Sequence, residues 1–284
     1  MRTRLAPYLL ILPGGLWLLV FFVVPMIAML NVSLQTGSLE TGFQQTFHWG
    51  TYTSMIDLYH LQLLRSLKYG AITTVITIVL AYPMAYWIAF RGGRHKSTYL
   101  FLILLPFFVT FVIRTISWQF LLADNGILLG HLKSWGLLPE NFHVLATSYA
   151  VVGGLVYNFL PFMVLPIYVA LERIDRSLLE AASDLFANPR EAFTQVVLPL
   201  SVPGVFAGVI LTFVPAASDY VNAQILGGSG QVMIGNIIEN LYLTNSQYPE
   251  ASALSSILLA ALLIGIFIYA RALGTEDVMD ASAG

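Results

Sequence analysis

The 284-residue chain has no cysteine, which excludes disulfides, thiolate metal sites and cysteine nucleophiles. Charge is almost as scarce: Asp, Glu, Lys and Arg make up 10% of the residues, where a soluble domain carries about 25%. Thirteen basic and fifteen acidic residues leave a net charge of −2, so there is no basic face for nucleic acid. The histidines, His48, His60, His95, His131 and His143, are scattered over different loops with no pair at i,i+4, which gives no metal-ligand spacing. No glycine-rich turn closes in Gly-Lys-Ser/Thr, and Lys96-Ser97 follows His95 instead. The chain therefore lacks a phosphate cradle for nucleotide.

Apolar residues are what the sequence has in excess, 57% of the chain with a mean hydropathy of +0.77. Residues 5–39, 69–90, 97–113, 144–171, 192–218 and 251–270 contain no Asp, Glu, Lys or Arg. About 20 apolar residues cross a bilayer as a helix. The runs predict six spans, at about 8–30, 68–90, 98–122, 145–171, 201–224 and 251–270. The third includes Arg114, and Asp219 lies near the end of the fifth. The runs are continuous rather than alternating, which excludes a barrel. The fold class expected is all-α: a polytopic membrane protein forming one transmembrane domain over 1–284. Pro25, Pro83, Pro106, Pro161, Pro166 and Pro215 inside the runs read as kinks, because neighbouring helices can re-satisfy the freed carbonyls. A helix break is expected around Pro215.

Basic residues set the orientation. With the N-terminus inside, Arg2, Arg4, Arg91, Arg94, Lys96, Arg173, Arg176, Arg190 and Arg271 are cytoplasmic, against Arg65, Lys68 and Lys133 outside. Both termini are expected in the cytoplasm. The first apolar run is too long for a signal-peptide core and reads as an uncleaved helix.

The inner loop at about 172–200 carries the most information. Ser177 and Glu180 have capping-box spacing. Leu178, Ala181, Ala182 and Leu185 share one helical face, and Glu180, Ser183, Asp184 and Ala187 the other. Asn188-Pro189 opens a second helix with Glu191 at its third position. Leu198-Pro199 and Val202-Pro203 are expected to stop it before the next span. A helix that merely lay on the membrane would carry Lys and Arg on its polar face. Glu180 and Asp184 there favour a protein partner.

Glu180-Ala181-Ala182, followed by Val196-x-Leu198-Pro199, resembles the EAA loop of membrane subunits of binding-protein-dependent ABC importers. Asn158-Phe159-Leu160-Pro161-Phe162, Leu171-Glu172-Arg173-Ile174-Asp175, Pro203-Gly204-Val205-Phe206-Ala207-Gly208, Leu226-Gly227-Gly228 and the stretch from Met233-Ile234-Gly235-Asn236 are similar to permeases of spermidine/putrescine importers. The family pattern has Gly four residues after the second Ala, where this chain has Phe186, and the turn could fall at Asn188-Pro189 instead. The resemblance implies a type I importer permease in the inner or plasma membrane. It would pair with a second, related permease, so that the channel is a heterodimer. Two cytoplasmic ATPase subunits would bind ATP and Mg, with no cofactor on this chain, and a solute-binding protein would deliver cargo outside. It also implies an ATPase-coupling role for Glu180, Ala181, Ala182, Asp184, Leu185, Phe186, Asn188, Pro189, Leu198 and Pro199.

Arg114 and Asp219 are costly in hydrocarbon, about 2.5–3.5 kcal/mol each at a helix centre. They could pair with each other. Alternatively Arg114 orients helices, while Asp219 attracts a cationic solute with Tyr220, Asn222, Tyr157, Asn158 and Trp118 beside the path. An importer for another small solute and an ion-coupled secondary transporter are the competing readings. The second leaves the EAA-like loop without a purpose and would favour internal repeats.

Overall fold

The computed structural model describes residues 6–272. Arg2 and Arg4, used for the orientation, lie outside the described residues. The chain divides into two compact units, one containing residues 6–60 with 237–263 and the other 61–236 with 264–272.

In the first unit, α1 (Ala6–Leu18) passes through a π-helical turn at Leu19–Val23 into α2 (Val24–Ser33). The wide turn immediately precedes Pro25, which has no N–H for the α-helical ladder. A hairpin follows: β1 (Gln35–Ser38) pairs antiparallel with β2 (Gly42–Gln45), Gln35 opposite Gln45. The Ser33 and Tyr52 hydroxyls lie 2.6 Å apart and tie the end of α2 to the start of α3 (Gly50–Arg91). The rings of Phe43 and Tyr242 both pack on Tyr248, at 5.5 and 4.9 Å.

At 42 residues α3 is about 63 Å long, roughly twice the hydrocarbon thickness. The second span is thus one helix with much of the loop before it, and begins at Gly50 rather than at 68. The third expected span, 98–122, is broken. Helix α4 (Lys96–Leu104) and a 3-10 turn at Leu105–Phe108 end at two extended residues, Val109 and Thr110, before α5 (Phe111–Leu122) and α6 (Ile127–Ser134). The two arms meet at 89°. Pro106 withholds a ladder hydrogen bond just before the break.

Helix α7 (Ser148–Glu172) is capped by the Thr147 hydroxyl, which accepts from the Ala150 N–H. Helices α8 (Arg176–Asp184) and α9 (Pro189–Ala192) form the inner loop. Pro199 and Pro203 do not stop the next element. A π-turn at Phe193–Val197 absorbs the missing Pro199 N–H, and helix runs unbroken from Pro189 to Ser218, with α10 spanning Leu198–Ser218. Pro215 lies inside it, so the break is three residues later than expected and the fifth span ends at Ser218, not 224. Short helices α11 (Val221–Leu226) and α12 (Ile234–Glu239) precede α13 (Tyr248–Ala272). Among the described residues five helices are long and apolar enough to cross a membrane, or six if the bent α4–α6 arms form one span.

The core of the second unit lies where small residues admit close helix approach. A Cβ at Gly204 of α10 would stand 2.6 Å from the Pro166 carbonyl of α7, and one at Gly208 2.6 Å from Met163 Sδ. Met163, Val164, Ile167 and Leu171 are fully buried against Ala81, Ala85 and Ala89 of α3.

Candidate functional site

Asp219 sits between α10 and α11 with extended backbone (φ −64°, ψ 137°) and is 8% exposed. Its Oδ1 accepts from the Asn222 backbone N–H at 2.7 Å and from Asn222 Nδ2 at 3.2 Å. The carboxylate thus caps α11. Asn222 Oδ1 in turn accepts from Asn158 Nδ2 at 3.2 Å, which also donates to Thr115 Oγ1 at 3.3 Å. The result is a buried polar ladder, Asp219–Asn222–Asn158–Thr115, crossing from α11 through α7 to α5. A Cβ at Gly154 would come within 2.6 Å of Asn222 Oδ1, so glycine there lets the ladder close. The Asn236 Nδ2 donates to the Tyr220 carbonyl at 2.8 Å and holds the break itself.

The ladder is not saturated. Asp219 Oδ2 accepts no hydrogen bond among the described residues, and Asn158 Oδ1 is buried without a partner. Arg114 does not pair with Asp219: the two ion pairs among the described residues are Lys96–Glu172 and Lys133–Asp124. Instead the Arg114 guanidinium, 7% exposed, lies 4.7 Å from the Phe107 ring centroid, 5.8 Å from Phe111 and 6.0 Å from Tyr157. Cation–π attraction replaces a counter-ion, while Arg114 Nε and Nη1 have no hydrogen-bond partner. Tyr157 packs edge-on to Trp118 at 5.2 Å, and both rings are half-buried. Tyr220 is exposed beside Asp219. The structure therefore brings together Asp219, Asn222 and Asn158, and separately Arg114, Tyr157 and Trp118. Thr115 was missing from the sequence reading. No local signal marks it, but Asp219-x-x-Asn222 after an apolar run is a readable cap.

The inner loop differs from expectation at its start. Asp175, not Ser177, caps α8 by accepting from the Ser177 N–H at 2.9 Å. That hydrogen bond holds the Asp175 carboxyl below the usual carboxylate range. Glu180 and Asp184 are exposed and make no side-chain hydrogen bond or ion pair among the described residues. Ile174, Leu179 and Val197 anchor the loop in the core, and Phe193 packs edge-on to Tyr82 and Tyr86 at 5.8 and 5.7 Å. The opposite side faces outward: Leu178 is 45% and Leu185 81% exposed, with Ala181 also exposed and Ala182 half-buried. Helix α8 ends in a Schellman motif, the Ala187 N–H donating to the Ala182 carbonyl at 3.0 Å and the Phe186 N–H to Ser183 at 2.9 Å. Phe186 takes the left-handed position at φ +62° and is 96% exposed. The tight turn is made at Phe186, in the glycine's place. Asn188 and Glu191 then form a capping box on α9, with Pro189 at its first position, as the spacing predicts. Leu198 and Pro199 lie exposed at the start of α10.

A family model for binding-protein-dependent transport system inner membrane components matches residues 5–274. The spermidine/putrescine transport system permease protein PotB of Haemophilus influenzae is 37% identical over 259 residues, 90% of each chain. PotB of Escherichia coli K12 is 33% identical over 257 residues, 90% of this chain and 94% of the relative. In fold, the chain is similar to a bacterial ABC transporter involved in the import of the acidic polysaccharide alginate, with a TM-score of 0.71, 17% identity and 96% of both chains covered.

Proposed function

Since the chain belongs to the binding-protein-dependent transport system inner membrane components, we propose that it is a channel subunit of an ATP-driven importer whose solute is a polyamine such as spermidine or putrescine. The PotB relatives support the solute class. The observation that carries it is Asp219: a carboxylate buried at the break between α10 and α11, half-coordinated by Asn222 and without a cationic partner among the described residues. A polyamine ammonium supplies the missing positive charge. The rings of Tyr220, Tyr157 and Trp118 offer π-faces to a cation, and Arg114, itself a cation, orients the aromatic cluster rather than touching solute. The break at Val109–Thr110 fits a pathway, because non-helical backbone at membrane depth is tolerated where it is covered by protein or lines water.

In this proposal the chain is one permease domain, with both termini and the 172–200 loop cytoplasmic. Leu178, Ala181, Ala182, Leu185 and Phe186 dock on an ATPase subunit, with Glu180 and Asp184 pairing basic groups on it and the Asn188–Pro189 cap fixing the turn. Leu198 and Pro199 pass the motion into α10. Two such ATPase subunits supply ATP and Mg, a second related permease completes the channel, and a solute-binding protein delivers cargo from outside.

Uptake of radiolabelled spermidine into proteoliposomes carrying the complete transporter, its binding protein and internal ATP tests this. ATP-dependent accumulation is expected. Binding of a different solute class by the co-encoded binding protein, with no spermidine uptake, would overturn the solute assignment and leave the permease assignment standing.

A further inference from the structure

The turn between α3 and α4 lies apart from the Asp219 ladder and the inner loop in sequence and carries its own cluster of apolar, aromatic and basic side chains. Pro83, Met84 and Trp87 of α3 and Tyr99, Leu102 and Ile103 of α4 line a groove of about 470 Å³ that is almost wholly apolar. Trp87 and Tyr99 pack edge-on at 4.9 Å at its end nearest the turn, and the His95 ring lies 6.4 Å beyond Tyr99. Next come Arg91, Arg94 and His95, all exposed. Lys96 is occupied: its Nζ lies 2.7 Å from Glu172. Arg91 and Arg94 make no ion pair or side-chain hydrogen bond among the described residues. Gly92 packs the turn tightly, since a Cβ there would meet the Ile88 carbonyl at 2.5 Å. Gly93, at φ +52°, has open space where a side chain would stand.

We propose that this groove seats an anionic phospholipid, one acyl chain lying in the apolar floor and the phosphodiester between Arg91 and Arg94. Along the groove the chemistry runs apolar, then Trp and Tyr, then free guanidinium, the same order as acyl chain, glycerol level and phosphate in a bilayer leaflet. Arginine matches a phosphate with paired N–H donors, and the choline cation of a zwitterionic headgroup repels the two guanidinium groups where the uncharged glycerol of phosphatidylglycerol does not. The adjoining Lys96–Glu172 pair ties α4 to the end of α7, two residues before Ile174 at the root of the inner loop. A lipid seated here would therefore brace the base of that loop.

Quenching of tryptophan emission in the full-length chain, assembled with its partner subunits and reconstituted in nanodiscs, tests the seat. The discs contain brominated-acyl phosphatidylglycerol or brominated-acyl phosphatidylcholine in an unbrominated background. Phosphatidylglycerol is expected to quench at concentrations at least about fivefold lower. Trp87→Phe should remove that selective component, because Trp87 lines the groove. Arg91→Gln with Arg94→Gln should bring the two lipids within about twofold, while Arg91→Lys with Arg94→Lys should keep the preference and shows that the turn still folds. Equal quenching by both lipids in the native chain would overturn the proposal, as would a preference that survives the double glutamine variant. Loss of the preference on adding soluble glycerol phosphate would show a free-phosphate site instead of a lipid seat. Absence of Trp87 quenching by either lipid would show that a protein subunit covers the groove, and would overturn it equally.

Discussion

The polar ladder at Asp219 and the α8–α9 loop are built from opposite materials and are left open in opposite ways. The ladder is buried, and each amide in it bonds to the next, from Thr115 to Asp219. What remains unmatched there is polar: a carboxylate oxygen of Asp219 and the side-chain Oδ1 of Asn158. The loop is largely exposed, with its backbone capped at three points, Asp175, the Schellman turn and Asn188. What remains unmatched there is apolar: Leu178, Leu185 and Phe186. In hydrocarbon an unpartnered polar group is the expensive one, and in water an exposed apolar cluster is. Each region therefore presents the kind of surface its own medium penalises. That pattern suits two sites awaiting other molecules, a cation in the first and a protein in the second.

The comparison can be broken from either side. The largest effect is expected at Ala182, half-buried where α8 meets its proposed partner. Ala182→Arg should abolish solute-stimulated ATP hydrolysis or assembly with the ATPase, with the chain still in the membrane fraction; normal stimulation would show the loop to be a bystander. Asn158→Leu removes the middle of the ladder and leaves the buried Asn222 Oδ1 without a donor, while Thr115 Oγ1 keeps its bond to the Phe111 carbonyl. A loss of about 1–3 kcal/mol is expected, seen as a lower midpoint in thermal unfolding of the solubilised chain. No change would mean that the ladder contributes nothing to folding. Phe186→Gly sharpens the contrast between stability and function. It relieves a left-handed phenylalanine at roughly 1 kcal/mol while deleting an exposed contact. Amide exchange at Ala187 should slow, yet stimulated hydrolysis should fall severalfold. A rise in both would separate the turn from docking. The smallest effect belongs to Asp175. Its carboxyl titrates below the usual range, so the stability it gives α8 is full above the ordinary carboxylate pKa and is lost as pH falls through the lowered one. The protection factor of the Ser177 amide, its exchange rate taken relative to the intrinsic rate at the same pH, should fall on acidification in the native chain, and Asp175→Asn should abolish that dependence.

The spans other than the third were legible because each rests on a local property, a long run with few or no charges, and the α9 start because Asn188, Pro189 and Glu191 lie within four residues of one another. Proline misled in three places. Pro199 follows a π-turn that takes up its missing N–H, while Pro203 and Pro215 are carried inside α10. A neighbouring wide turn can remove the penalty that proline imposes in isolation. The 89° break at Val109–Thr110 has no breaker at the extended residues themselves, and Pro106 three residues earlier read only as a kink. Phe186 could be read as a departure from the glycine pattern, but not as a residue that adopts the glycine's backbone. The ladder joins residues 43 and 64 positions apart in its long steps, which no local pattern encodes. The failure of Arg114 to meet Asp219 is likewise tertiary, set by the rings of Phe107, Phe111 and Tyr157.

The most direct test of the account measures spermidine uptake and ATP hydrolysis together, in proteoliposomes of the complete transporter carrying Asp219→Asn. The substitution keeps the shape of the side chain and removes its charge. Loss of an ammonium–carboxylate contact worth about 1.5–3 kcal/mol predicts uptake reduced roughly tenfold or more, with basal ATP hydrolysis and subunit assembly preserved. Unchanged spermidine uptake would contradict the account, because the buried carboxylate would then have no part in moving the cation.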